Sequence, residues 1–240
     1  MSETTHSSGA AALRGGAREA LGVPAAVLGA GFIGYGSLAA EHGYSVAQAV
    51  AATVLIWALP AQLVLIELPA LGASLLAVIA AVMFSSARFL PMTISLMPLL
   101  RDSRYGAVTR YACAQVISMT TWAVSMQRCP LLPVEQRLPY LAGFGIACLA
   151  VSAACTAAGH GLAGVFPPLA RLGFVFLTPL YFFVILVGEV RTRLAALALS
   201  CGAISGPLFH LLSPEWSVVL AGFAGGSIAY WLQKAYGRRA

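Results

Sequence analysis

One arginine stands inside an otherwise apolar stretch: Arg88, in VMFSSARFLPM. A guanidinium in a lipid interior costs at least ~2.5–3.5 kcal/mol on insertion scales, so it calls for a partner. A carboxylate, a helix-end carbonyl or an anionic substrate would each serve, and a substrate carboxylate can be gripped in bidentate fashion. Gln62, in the ALPAQ stretch just after Pro60, offers donors and acceptors in one amide. It suits either a polar ligand or a helix–helix hydrogen bond. Glu67 is the nearest acid along that segment; it is a candidate partner for Arg88, a proton carrier or a marker of the membrane surface. Ser85, Ser86, Thr93 and Ser95 flank Arg88, and Gln115, Thr120 and Thr121 lie further on. Their polar groups either line a path or bond back to helix carbonyls. Together, Arg88, Gln62, Pro60, Glu67 and Ser86 form the candidate substrate path.

Other reactive side chains point to less. His42 and His160 follow small-residue helices and read as loop caps, and His210 reads as structural. The five cysteines form no C-x-x-C pair and read as small buried hydrophobes, giving neither a disulfide framework nor a metal site. No G-x-S-x-G elbow, H-E-x-x-H, P-loop or paired acids occur, so no enzyme and no cofactor is indicated.

The elements that position these residues follow from composition. Hydrophobic residues make up 60% of the chain and charged ones 9%, against about 25% charged in soluble domains. Such a chain cannot cover a soluble surface. Apolar segments at 23–40, 46–68, 71–98, 107–127, 139–158, 167–187, 194–212 and 216–233 approach or exceed the roughly 20 residues a transmembrane helix needs. No period of two runs through them, which argues against a barrel. The fold class is therefore all-α: a polytopic membrane helix bundle. The net charge of +6 does not indicate nucleic acid, because its sources sit at span ends: Arg14 and Arg18, then Arg101, Arg104 and Arg110, then Lys234, Arg238 and Arg239. This is the pattern of cytoplasmic flanks, and it places both termini in the cytoplasm. Residues 1–20 read as a polar tail, disordered or lying on the surface, rather than a signal peptide.

The chain resembles itself at an offset of about 118 residues: LAAEHGYS (38–45) against TAAGHGLA (156–163), then IWALPAQLVLIEL (56–68) against VFLTPLYFFVILV (175–187). This divides it into a first membrane repeat (21–130), a second (131–236) and a basic end (237–240). Pro60 and Pro179 fall at matching places and are the candidate helix breaks. Repeated halves around broken helices characterise secondary transporters. Two topologies satisfy cytoplasmic termini. Eight crossings make the halves parallel. Alternatively, 46–68 and 167–187 are re-entrant hairpins turning near Pro60 and Pro179, which leaves six crossings and makes the halves inverted. Gly202–Gly206 and Gly222–Gly226 are close-packing pairs.

The run from Gly31 to Arg101 resembles the AzlC family, the large subunits of branched-chain amino acid exporters. The resemblance rests on a glycine-rich first helix, the turn Gly43-Tyr44-Ser45, the stretch Leu59-Pro60-Ala61-Gln62, the arginine segment Ser86-Ala87-Arg88-Phe89, and Ser95-Leu96-Met97-Pro98-Leu99-Leu100-Arg101. Ser86 and Phe89 stand where the family has asparagine and histidine, and ISMTTWAVS (117–125) lacks an acidic pair that members often carry. The resemblance implies a permease of the bacterial cytoplasmic membrane that exports branched-chain or related neutral amino acids on an ion or proton gradient. It also implies a small AzlD-type membrane partner. A channel-like facilitator and a non-transporting scaffold subunit are the rival readings.

Overall fold

The computed structural model describes residues 9–70, 72–102, 104–165, 167, 169–170, 172–176, 180, 183, 193–212 and 217–237. Among them the chain is all helical. The helices are α1 Gly9–Ala20, α2 Val23–Glu41, α3 Val46–Ile56, α4 Leu59–Ala70, α5 Leu75–Ser86, α6 Phe89–Leu96, α7 Ala107–Ala114, α8 Met119–Arg128, α9 Val134–Gly161, α10 Arg193–Leu212 and α11 Ser217–Gly237. Three described helical stretches are long and apolar enough to cross a bilayer: Val23–Glu41, Leu75–Leu100 and Val134–Gly161. This is a multi-pass membrane protein. It divides into two compact units, residues 1–178 and 179–240.

In the first unit α9 is the spine, with α1 and α2 laid end to end along it. Small residues make this possible, because a Cβ on Gly16 or Gly36 would overlap the carbonyl oxygens of Tyr140 and Thr156. Reciprocally, Gly143 abuts Leu13, and Gly159 abuts Ile33. Close backbone approach of this kind drives helix association in lipid, where burial of apolar surface contributes little. The contacts advance together along the helices, so α1 and α2 run parallel to α9. Residues 9–20, expected as part of a loose polar tail, are thus a packed helix with Ala12, Gly16 and Ala20 buried. The four-residue spacing of those small side chains puts them on one face.

The segment 46–70 turns back on itself. Gly43, at φ +78°, reverses the chain after α2. Ser45 and Gln48 then form a reciprocal capping box that starts α3. α3 ends where Trp57 adopts the left-handed conformation, φ 41° and ψ 42°. The break therefore falls at Trp57–Ala58, ahead of Pro60. Pro60 occupies the first turn of α4, where a missing N–H removes no helix bond. Pro69 acts differently. It deprives the carbonyl of Leu65, four residues back, of its helical donor, and the hydroxyl of Tyr44 donates to that oxygen at 3.0 Å. Tyr44 precedes α3 and Leu65 lies on the returning arm, so α4 comes back to the face from which α3 departed. His160, on the last turn of α9, meets the carbonyl of Tyr44 at 2.8 Å, and His42 meets that of Leu38 at 2.9 Å. Both histidines tie down helix ends at this face.

From there α5 and α6 descend as one long apolar stretch with a turn at Ala87–Arg88. The apolar segment 107–127, expected as a crossing, then turns back as well. Arg104, just before α7, pairs with Glu135 on the first turn of α9. Arg137 donates to the carbonyls of Leu99 and Leu132. The beginning of α7 and the end of α8 thus share one face, opposite the His42 face. Residues 115–118 make the turn, closed by successive short-range bonds from Gln115, Val116 and Ile117 to Ala112, Cys113 and Ala114. Ser118 caps α8 by accepting from Thr121 N at 3.2 Å. Because both segments return, α2 and α9 are parallel; the inverted relation attached to the re-entrant alternative presumed that 107–127 crosses.

In the second unit α10 and α11 form an antiparallel pair. The Ser205 hydroxyl donates to the Ala221 carbonyl at 3.2 Å, and Gly225 faces the backbone of Gly202. The close approach here is between Gly202 and Gly225, while an added Cβ on Gly206, Gly222 or Gly226 would meet nothing. Pro179, most of 177–192, and Arg238 and Arg239 lie outside the described residues, as does the His210 side chain.

Candidate functional site

The two hairpins meet. α3 has eleven residues and α7 eight, so they rise ~16 Å and ~12 Å, together ~28 Å against a hydrocarbon core of ~30 Å. Entering from opposite faces, their tips come together near the middle of the bilayer. The contact is made by Gln115, whose amide nitrogen donates to the carbonyls of Val54 and Leu55, each at 3.1 Å. These are among the last carbonyls of α3, which have no intrahelical donor. Behind them Trp57, Leu59 and Val116 join a buried cluster with Phe32, Tyr35, Phe144 and Cys148. Burial of Trp57 holds its left-handed backbone, a conformation that is an outlier for a bulky side chain.

Several polar groups surround the junction. Gln62, on the second arm of the first hairpin, is fully buried, and neither atom of its side-chain amide has a hydrogen-bond partner. Thr53 and Thr156 share a hydroxyl–hydroxyl bond of 2.9 Å inside the same unit and also bond back to Ala49 and Ser152. Ser118 and Thr121 pair at 3.0 Å at the second tip. The Oγ of Thr120 is buried without a partner.

Arg88 lies at the turn between α5 and α6, thirteen residues beyond Leu75, or ~20 Å along the descent. Leu59 is eleven residues, ~17 Å, from the end of α4 at the same face. Arg88 and the Trp57–Ala58 break therefore sit at similar depth. The guanidinium rests over the Phe89 ring at 5.6 Å, and its Nε has no hydrogen-bond partner. Among the described residues it makes no ion pair. Glu67 is exposed near the His42 face and does not pair with it. Ser86 ends α5, two residues from Arg88. The structure thus places Pro60 and Gln62 together on the first turn of α4, sets Arg88 and Ser86 level with them on the next descent, and leaves Glu67 a turn or more away toward the surface.

Sequence reasoning treated Gln115 as one polar residue among several and missed Trp57. For Gln115 a signal existed: a long amide followed by Ser118-x-x-Thr121, a capping pattern inside an apolar run. For Trp57 none existed, since neither glycine nor asparagine marks the turn.

An ionic network joins three elements of the first unit. Arg128, the last residue of α8, donates to Glu19 of α1 at 2.8 and 2.9 Å, and Tyr140 of α9 donates to the same carboxylate at 2.7 Å. Arg104 is held by Glu135, whose hydrogen bond and charge raise its pKa above the ordinary arginine value. Among the described residues no cluster of three or more His, Cys, Asp or Glu is placed to hold a metal.

Helices that cross the bilayer, together with two half-helix pairs that enter and return, define a polytopic α-helical membrane protein with irregular backbone at mid-depth. Lipid tolerates such backbone only where protein or a water-filled cavity covers it. The model of the family described as AzlC protein matches residues 25–166, and the chain belongs to the AzlC family. That family is one of transporters and not of enzymes. No matching protein was found among those with curated descriptions, and no matching solved structure.

Proposed function

We propose that the chain is a secondary transporter of the cytoplasmic membrane that exports branched-chain or related neutral amino acids. The observation that carries the reading is the meeting of two half-helix pairs at mid-depth in a member of the AzlC family. A zwitterion needs a positive and a negative end. The first turns of α4 and α8 offer amide dipoles to a carboxylate, and the last turns of α3 and α7 offer carbonyls to an ammonium. Arg88, a guanidinium at the same depth with no ion pair among the described residues, is the group to grip the carboxylate. Gln62 supplies a buried amide to the polar end, and Ser86 and Pro60 border the path. Glu67 lies toward its outer mouth.

The basic side chains Arg101, Arg104 and Arg128 lie at the face where α8 ends and α9 begins, and Arg14 and Arg18 precede the first long apolar helix. This supports a cytoplasmic placement for that face and for the N-terminus. We assign the two halves, 21–130 and 131–236, to the parts that rock about the junction. A small AzlD-type subunit is the expected partner.

The test is gradient-driven flux of neutral amino acids in vesicles, comparing wild type with Arg88→Ala at equal insertion. The reading predicts uphill flux and at least a tenfold loss in the variant. Flux that runs only downhill points to a facilitator instead, and unchanged transport removes Arg88 from the mechanism.

A further inference from the structure

We infer that the side-chain amide of Gln115 is an internal stand-in for the ammonium group of the substrate, holding the carbonyls of Val54 and Leu55 until an ammonium ligand displaces it. The inference rests on the transport reading for its place in a cycle, but its chemistry is independent of flux. One nitrogen donates to two successive carbonyls, each at 3.1 Å. Two acceptors facing one amide fix its orientation, because only the nitrogen end can donate to both. An alkylammonium would satisfy the same pair with a full positive charge, in the negative end of the α3 dipole, and charged donors make the stronger bonds.

Gln115 is an exposed side chain at the tip, and if it moved away the two carbonyls would need another polar donor, because lipid cannot solvate them. A further observation points to a ligand here. On the other arm of the same hairpin, Gln62 is wholly buried with both amide atoms unpartnered, which is a costly state unless something polar arrives. In the exchange the glutamine side chain swings aside and the carbonyls change donor, which releases the polar contact between the hairpin tips. Ligand entry and release of the contact between the two hairpins are then one event. The ligand class is a primary ammonium compound, and a carboxylate is not required for this step.

The experiment measures equilibrium binding to the purified full-length protein in lipid nanodiscs. The probes are n-butylammonium, L-leucine and 2-hydroxy-4-methylpentanoate, which lacks the ammonium. Removing the competitor in Gln115→Ala is expected to tighten both ammonium ligands by roughly 5- to 30-fold and to leave the hydroxy acid unchanged. Gln115→Lys keeps donors on the carbonyls but tethers an ammonium there, and it is expected to bind neither ammonium ligand. Unchanged or weaker ammonium binding in the alanine variant, an equal shift for the hydroxy acid, or a lysine variant that binds like wild type would each overturn the inference. Absence of amino acid flux in wild type with this binding pattern intact would sink the transport reading alone. Normal flux without the pattern would sink only the stand-in role.

Discussion

Gln62 shows how a single side chain can be read two ways and then tested. Its amide is fully enclosed with no partner on either atom. If it served only packing, that arrangement would be a defect, since an unsatisfied buried polar group costs about 1–3 kcal/mol. Gln62→Leu keeps the approximate volume and removes the unmet polar atoms. Thermal unfolding in detergent is therefore expected to show a midpoint equal to or above that of wild type, while amino acid flux falls at least tenfold. A variant both less stable and fully active would mean that Gln62 holds helices together and takes no part in the path. Arg88, Pro60 and Gln62 stand out as candidates in the sequence because charge, ring and amide are conspicuous among alanines and leucines. Trp57 does not. An aromatic residue at the end of an apolar run looks like ordinary core, and only its backbone angle reveals the turn.

At the scale of elements, the spine of α9 with α1 and α2 depends on glycines that admit the neighbouring backbone. Gly36→Ala would drive a methyl group into the Thr156 carbonyl. Overpacking of this kind costs about 1–3 kcal/mol, a drop in unfolding midpoint of roughly 2–12 °C for a chain of this size. Gly161→Ala, with nothing near the added carbon, is the control and should shift the midpoint little. Equal behaviour of the two would contradict the close packing described for α2 and α9. The existence of the apolar elements was plain from composition, but their directions were not. The segment 107–127 has the length of a crossing helix and contains no proline or glycine, so only Gln115 and the Ser118-x-x-Thr121 capping pattern mark the return at residues 115–118. The segment 46–68 did announce one through Pro60. The turn nevertheless falls earlier, because proline is most easily accommodated just after a break, in the first turn of the next helix. In residues 9–20, arginines and glycines give a polar average that hides the small-residue stripe of α1.

For the whole molecule, two faces follow from the side-chain contacts. One carries His42, Tyr44, the end of α4 and His160; the other carries Arg104, Arg128, Glu135 and the beginning of α9. Membership of the AzlC family gives the class of work, and the meeting of the hairpins gives a place for it. That place depends on segments 46–70 and 107–128 entering and returning rather than crossing. Impermeant-thiol labelling in oriented vesicles tests this most directly, using a version of the chain in which the five native cysteines are replaced. Single cysteines are introduced at Gly43, Ala70, Arg104 and Leu131. The account predicts that positions 43 and 70 label from one side, and 104 and 131 from the other. Labelling of 43 and 70 from opposite sides, or of 104 and 131 from opposite sides, would show a crossing helix where a hairpin is described and would contradict the junction on which the proposed path stands.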